Sequence, residues 1–194
     1  MKEVFMDNGA VFYRRFLESD NTAVKKDAIS EIIKIYKDGL ILYINSIVDN
    51  YADAEDIAIN VFAKLYCFAP KFAEKSSFKT WIYAMGKNEA LNTINKKARH
   101  QEVPLDNQPP IYDNGEVEHE YIKKEDKLRL YKAMKKLKDE YRQVLELVYI
   151  EGLSNSEAAE VMEKTERQIR NILYRGKKAL QKELKKEGFE YEEL

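Results

Sequence analysis

The chain has 194 residues and a mass of 22.8 kDa, enough for one mid-sized domain or two small ones. It is 44% hydrophobic and 35% charged, its mean hydropathy is -0.60, and no run approaches the roughly 20 apolar residues a bilayer requires, which excludes membrane insertion. The formal net charge of -1 argues against a nucleic-acid binder, but the charge is segregated.

Low glycine and proline with abundant Lys, Glu, Ala and Leu favours helix, and no run alternates strictly enough for a strand. Phe12, Phe16 and Leu17 suggest a short first helix. Ala28, Ile32, Ile35, Tyr36, Gly39, Leu40, Tyr43, Ile44 and Ile47 recur at helical spacing, and Asn50-Tyr51-Ala52 breaks that pattern. Asp53 can cap a third helix, with Glu55 and Asp56 at its positive dipole end and Ile57, Val61, Leu65 and Phe68 as its apolar face. Cys67 is expected to be buried beside that face. It is the sole cysteine, so an internal disulfide is excluded and a reducing cytoplasm is the natural setting. The N-terminus lacks the basic-then-apolar layout of a secretory signal.

Phe72 to Ser77 reads as a loop, and Ser77 or Thr80 as the start of a fourth helix containing Trp81, Ile82, Met85, Leu91 and Ile94. From Ser76 to His100 five basic residues face Glu89 alone. Phe78, Trp81 and Tyr83 share that helix with Lys79 and Lys87, followed by Asn88, Asn92, Asn95, Lys96, Lys97 and Arg99. Aromatic faces stack on unpaired bases while basic groups track a backbone. The alternative is that Phe78 and Trp81 are simply core. Gln101 to Glu120 carries three of the four prolines and an acidic excess, and reads as a linker bordered by the solvated His100 and His119.

Beyond it, Leu128, Tyr131, Met134 and Leu137 line one helix, and Tyr141, Val144, Leu145 and Val148 the next, which Gly152 ends. Ser154-Asn155-Ser156-Glu157 is a capping box opening a short helix with Ala158, Ala159 and Met162. Glu163-Lys164-Thr165 is a tight turn whose Thr165 can cap a long basic helix through Ile169, Leu173, Leu180 and Leu184. From Glu163 to Lys186 nine basic residues face three acidic ones. Short helix, turn and long basic helix are the parts of a helix-turn-helix. Its free face would carry Arg167, Gln168, Arg170, Asn171 and Tyr174, suited to base edges, with Arg175, Lys177 and Lys178 meeting phosphates. The alternative is an amphipathic helix pair with a solvated basic face. The fold class is all-α: two small helical domains, an acidic proline-containing linker, and a C-terminal helix-turn-helix.

The paired carboxylates of Asp53-Ala54-Glu55-Asp56 lack a partner histidine, so capping or a protein-docking surface explains them better than catalysis. No phosphate loop, serine-hydrolase elbow or zinc-protease motif occurs. Neither a cofactor nor a metal is expected.

The order of these pieces carries a resemblance. Asp53-Ala54-Glu55-Asp56-Ile57, Val61-Phe62 and Leu65-Tyr66 are followed by Phe78-Lys79-Thr80-Trp81-Ile82-Tyr83-Ala84 and Asn88, then a basic run. After the linker come Tyr141-Arg142-Gln143-Val144-Leu145-Glu146-Leu147, Glu151-Gly152-Leu153-Ser154 and Glu157-Ala158-Ala159. This resembles the extracytoplasmic-function sigma factors of bacterial RNA polymerase over roughly Ala28 to Leu184.

The resemblance implies region 2 over residues 1–100, a flexible linker over 101–124 and region 4 over 125–194. It implies that the helix from Asp53 docks on the clamp of the polymerase through Glu55, Asp56, Asn60 and Lys64. Lys79, Trp81, Lys87, Asn88, Asn92, Asn95, Lys96, Lys97 and Arg99 would then open and read the minus-ten element, one flipped base entering a pocket under the loop Phe72 to Ser77. Thr165, Arg167, Gln168, Arg170, Asn171, Tyr174, Arg175, Lys177 and Lys178 would serve the minus-thirty-five element. The partners implied are core RNA polymerase and promoter DNA, with an anti-sigma factor as a further partner that many family members have. The site of action implied is the cytoplasm, and the role is not enzymatic.

Several positions depart from the family pattern. Ile59 and Asn60 replace a usual Gln and acidic residue, Asn92 and Asn95 a usual Asp and Arg, Glu163 and Lys164 a usual Gly and aliphatic residue, and Arg167-Gln168-Ile169 a usual Gly-Thr-Val. The promoter sequence is therefore not carried over. Two alternatives remain, a free-standing helix-turn-helix regulator and a helical interaction module.

Overall fold

The computed structural model describes residues 8–100 and 129–186, and among these residues there are helices and no strand. The expected linker, His119 and the acidic C-terminal end lie outside the described residues.

Four helices form the first half: α1 (Asn8–Glu18), α2 (Thr22–Val48), α3 (Tyr51–Phe68) and α4 (Phe78–His100). The spine is α2. Asn21 caps it, its side chain accepting from the Ala23 amide at 2.8 Å, and Asp49 ends it in the left-handed conformation at φ 53°. Ala28, Ile32, Tyr36, Leu40, Tyr43 and Ile44 are buried along it, which is the face the apolar spacing marks. Ile35 stands at the edge of that face and is exposed.

Because α2 stops at Asp49, Asn50 is left as the cap of α3. Its side chain accepts from the Asp53 amide at 3.1 Å, so the expected break at Asn50 to Ala52 is instead a helix start and Asp53 is not the cap. Asp53 lies in the first turn and pairs with Lys97 at 2.7 Å. Ala54, Ile57, Ala58, Val61, Phe62 and Leu65 pack inward. Cys67 is exposed rather than buried, because it falls on the side of α3 away from that arc. Phe68 lies on the arc but in the last turn, and is 77% exposed. Tyr13 and Phe16 anchor α1, the Tyr13 hydroxyl donating to the Pro70 carbonyl at 2.7 Å.

The second half comprises a helical stretch over 129–135 (α5), α6 (Asp139–Leu145), a π-helical turn (Glu146–Ile150), α7 (Asn155–Met162) and α8 (Glu166–Lys186). The π turn continues α6 directly, the Glu151 amide donating to the Glu146 carbonyl at 2.9 Å. Gly152, at φ +71°, takes a backbone conformation costly for other residues and releases the chain towards α7. Val144, Leu145, Leu147, Leu153, Val161, Met162 and Ile169 form this core.

The halves meet: α7 packs on α4, and α6 with the π turn packs on α2. Arg142 is buried at this seam. Its Nε donates to the Ser46 carbonyl at 3.1 Å, and its guanidinium pairs with Asp49 at 3.3 Å and Asp139 at 3.2 Å.

Candidate nucleic-acid interfaces

The helix-turn-helix is built by consecutive caps. Ser154 Oγ accepts from the Glu157 amide at 3.2 Å while Glu157 Oε2 accepts from the Ser154 amide at 2.9 Å, completing the capping box read in the sequence. Glu163 ends α7 in the left-handed conformation, at φ 53°, and its amide donates back to the last carbonyls of the helix. Thr165 then caps α8, its hydroxyl accepting from the Gln168 amide at 3.2 Å, and Gln168 Oε1 accepts from the Thr165 amide at 2.8 Å. This second capping box is not among the sequence expectations; its signal is Thr165-Glu166-Arg167-Gln168, a threonine followed three residues later by glutamine.

Thr165, Arg167, Gln168, Arg170, Asn171, Tyr174, Arg175, Lys177 and Lys178 are all exposed, and at 3.6 residues per turn those on α8 share one side of it. Ile169, Gly176 and Leu184 are buried on the other. Several of the exposed groups are held in place. Arg170 pairs with Glu166, Lys177 lies 4.8 Å from the centre of the Tyr149 ring, and Lys178 lies 4.5 Å from that of Tyr174. Gln168 is tied to the helix start through its carbonyl oxygen, so its side-chain amide NH2 is the part left to donate outwards.

The residues on α4 divide into two groups. Towards its C-terminal end Asn88, Asn92, Asn95, Lys96, Lys97 and Arg99 are exposed. Towards its start the candidates face the second half of the chain. Lys79 pairs with the Glu151 carboxylate at 2.9 Å and donates to the Glu151 carbonyl. Lys87, its side chain 12% exposed, pairs with Glu163 at 3.0 Å. Ser77 caps α4, accepting from the Thr80 amide at 3.1 Å, and Ser77 and Thr80 both donate to Glu157 Oε1, at 2.9 Å and 3.3 Å. Burial works to raise the Glu157 carboxyl, but its hydrogen bonds from Ser154, Ser77 and Thr80 outweigh that and hold it below the usual range. Trp81 is half-buried among the rings of Tyr13, Phe72 and Phe78, at 5.1–5.4 Å between centroids, so it serves the core while part of it reaches the surface.

On α3, Asp56 and Asn60 are exposed and Glu55 is partly so, while Lys64 is held by Glu89 at 2.5 Å. Ile59, the departure from the family pattern, stands among them 61% exposed.

A polar cluster the sequence does not announce lies under the seam. Glu146 is 2% exposed, and its Oε1 has no hydrogen-bond partner among the described residues. Burial, then the neighbouring Glu151, pushes its carboxyl up from 4.5 to about 7. Tyr83, buried and facing Glu151, is held protonated far above the tyrosine range, and Tyr131 is raised by burial together with Glu146 and Glu151. Gly39 makes room for this arrangement: a Cβ there would lie 2.3 Å from Glu151 Oε1 and 2.4 Å from the Tyr83 hydroxyl. Among the described residues no group of three His, Cys, Asp or Glu side chains is placed to hold a metal ion, and no helix is long and apolar enough to cross a membrane.

Comparison with known proteins follows the same division. The family model of sigma-70 region 2 matches residues 32–100, and that of sigma-70 region 4 matches residues 127–180. The extracytoplasmic-function RNA polymerase sigma factor SigW of Bacillus subtilis (strain 168) is 27% identical over 179 residues, 82% of this chain and 90% of that one. SigM of the same organism is 24% identical over 152 residues, 78% of this chain and 92% of that one. Two solved structures share the fold. The sigma factor RpoE in complex with the anti-sigma factor NepR from Bartonella quintana has a TM-score of 0.65 at 19% identity, covering 80% of this chain and 96% of that one. CnrH in complex with the cytosolic domain of CnrY has a TM-score of 0.62 at 15% identity, covering 92% and 97%.

Proposed function

The chain belongs to the sigma-70 family, in its extracytoplasmic-function group, and is an RNA polymerase sigma factor; on that premise we propose that residues 1–100 dock on core polymerase and read the minus-ten element, 101–124 connect, and 125–194 read the minus-thirty-five element. The observation that carries the reading is the exposed side of α8. Arg167, Gln168, Arg170, Asn171 and Tyr174 present donors and an aromatic ring to a major groove, and Arg175, Lys177 and Lys178 flank them for phosphates.

On α4 the exposed Asn88, Asn92, Asn95, Lys96, Lys97 and Arg99 track the strand of the minus-ten element, with Lys79, Lys87 and the outer edge of Trp81 nearer the point of melting. Drawing a base out of the stack costs on the order of a few kcal/mol, which backbone contacts along the helix must offset. The face of α3 with Glu55, Asp56, Asn60 and Lys64 docks on the polymerase. The chain performs no chemistry itself and acts in the cytoplasm. Two modest DNA-binding faces on one chain gain from effective concentration once polymerase holds them at promoter spacing. An anti-sigma factor is a further partner, in keeping with the complex that the structural neighbour RpoE forms with the anti-sigma factor NepR.

Run-off transcription with sigma-free core polymerase and a library of genomic promoter fragments tests the assignment. Sequence-selective transcripts that require this chain support it. Failure to bind core polymerase, combined with tight binding to duplex DNA by the chain alone, refutes it.

A further inference from the structure

Between α3 and α4 the chain runs over residues 69–77, and this loop does not hold itself. Among the described residues no backbone-to-backbone hydrogen bond begins or ends within 70–76. Ala69 at φ 42° and Glu74 at φ 53° take the left-handed conformation, which is costly for a residue with a Cβ. Such a loop stays in place only if something outside it fixes it.

Two fixings come from α1. Tyr13 is 1% exposed, and its hydroxyl donates to the Pro70 carbonyl at 2.7 Å. Burial pushes that phenol up to about 12, so it keeps the proton it donates. One residue on, the Arg14 guanidinium pairs with the Glu74 carboxylate at 2.8 Å. These ties span 57 and 60 residues of sequence, and they reach the loop at or beside its two left-handed positions. Arg15 in turn pairs with Asp27 at 3.1 Å, which fastens α1 to the α2 spine.

Phe72 stands between the two fixings. Its ring lies 5.1 Å from the Trp81 ring, and the Tyr13 ring lies 5.4 Å from the same tryptophan, so the helix that ties the loop also backs Trp81. All of α1 lies outside residues 32–100, the part that matches sigma-70 region 2.

We propose that α1 is a brace for promoter opening, in which Tyr13 and Arg14 are positioning residues that hold the 69–77 loop against Trp81, so that the unpaired minus-ten strand meets a surface already formed. The inference rests on placing the outer edge of Trp81 at the point of melting. A surface already formed avoids the entropy of ordering the loop at the moment the strand is caught. Neither residue has to touch DNA or polymerase to act in this way.

The test uses holoenzyme rebuilt from sigma-free core polymerase and the full chain, on a promoter fragment that the unaltered chain transcribes. Opening is read as permanganate reactivity of unpaired thymines against time. Tyr13→Phe keeps the ring and removes only the hydroxyl. In a loop without backbone bonds of its own, that loss is expected to slow opening up to about fivefold, the worth of one buried hydrogen bond. Arg14→Glu and Glu74→Arg, at exposed positions that do not threaten folding, are each expected to slow it about twofold, and the two together to restore it. Capture of every variant by immobilised core polymerase is expected to be unchanged. Trp81 is the sole tryptophan, so its emission reports the loop in the free chain. Tyr13→Phe is expected to shift that emission to the red and to make it easier to quench with acrylamide.

Opening by Tyr13→Phe as fast as by the unaltered chain overturns the proposal. An opening defect matched by an equal loss of core capture also overturns it, because Tyr13 then serves folding alone. A charge swap as slow as its parts, or Trp81 emission unmoved by Tyr13→Phe, overturns the brace. Absent run-off transcripts with the unaltered chain refute the sigma-factor assignment itself, whereas transcripts from variants that open normally refute this proposal alone.

Discussion

Glu146→Gln should stabilise the chain, and by an amount that depends on pH. Gln keeps the shape of the neutral acid while removing its titration. The Glu146 carboxyl goes from 4.5 to about 7 on folding, so the folded chain holds its proton more tightly than the unfolded one. Stability contributed by the protonated acid is therefore present at low pH, declines as pH rises through the interval from about 4.5 to about 7, and is absent above it. A shift of that size, at about 1.36 kcal/mol per unit, amounts to about 3 kcal/mol once the group must ionise in place. The stability gained by Glu146→Gln should then be under ~1 kcal/mol at pH 5 and about 3 kcal/mol at pH 8. Urea unfolding of both proteins followed by circular dichroism at the two pH values gives that difference, and titrations of groups not coupled to Glu146 cancel from it. A gain equal at both pH values would refute the reasoning, because it would show that Glu146 does not change its proton affinity on folding.

Three further outcomes follow from geometry already described. Gly39→Ala drives a methyl into Glu151 and the Tyr83 hydroxyl and should cost about 1–3 kcal/mol, visible as a lower urea midpoint. Arg170→Ala should relax minus-thirty-five preference at particular base pairs, whereas Lys177→Ala should weaken binding across sequences and reduce the salt slope by about 1; equal, sequence-independent losses in holoenzyme–promoter titrations would overturn the separate roles. Ile59→Lys, on an exposed position of α3, should leave the thermal midpoint unchanged and reduce capture by immobilised core polymerase, and undiminished capture would remove this face from the docking surface.

Local chemistry made much of this molecule readable. The capping box at Ser154 depends on four consecutive residues, and the exposed side of α8 depends only on helical period, so both are visible without a fold. The cap of α3 lies three residues before the expected Asp53 because Asn50 and Asp53 are equally able to accept an amide; what decides between them is where α2 stops, at the left-handed Asp49. The exposure of Cys67 was available from the same period that marks Ile57, Val61 and Leu65, since it stands off their arc. The burial of Glu146 and the pairing of Ser77 with Glu157 were not available. Eighty residues separate that pair, and no spacing rule along a chain states which helix will lie on which. The sequence around Trp81 suits core and surface alike, and its half-buried place among three other rings shows why.

The π turn between α6 and Gly152 has a mechanical consequence. An α-helix advances about 100° per residue, so one extra residue taken up in a wide turn rotates everything downstream by that angle relative to everything before it. The turn therefore acts as a phase setter. Deleting one residue from Glu146–Ile150 would let the segment relax to regular helix with both neighbours sound, yet would swing Glu151 and the helices after it about a quarter-turn around the axis. The aim of α8, as distinct from its make-up, is thus encoded some twenty residues upstream, by the length of a single turn.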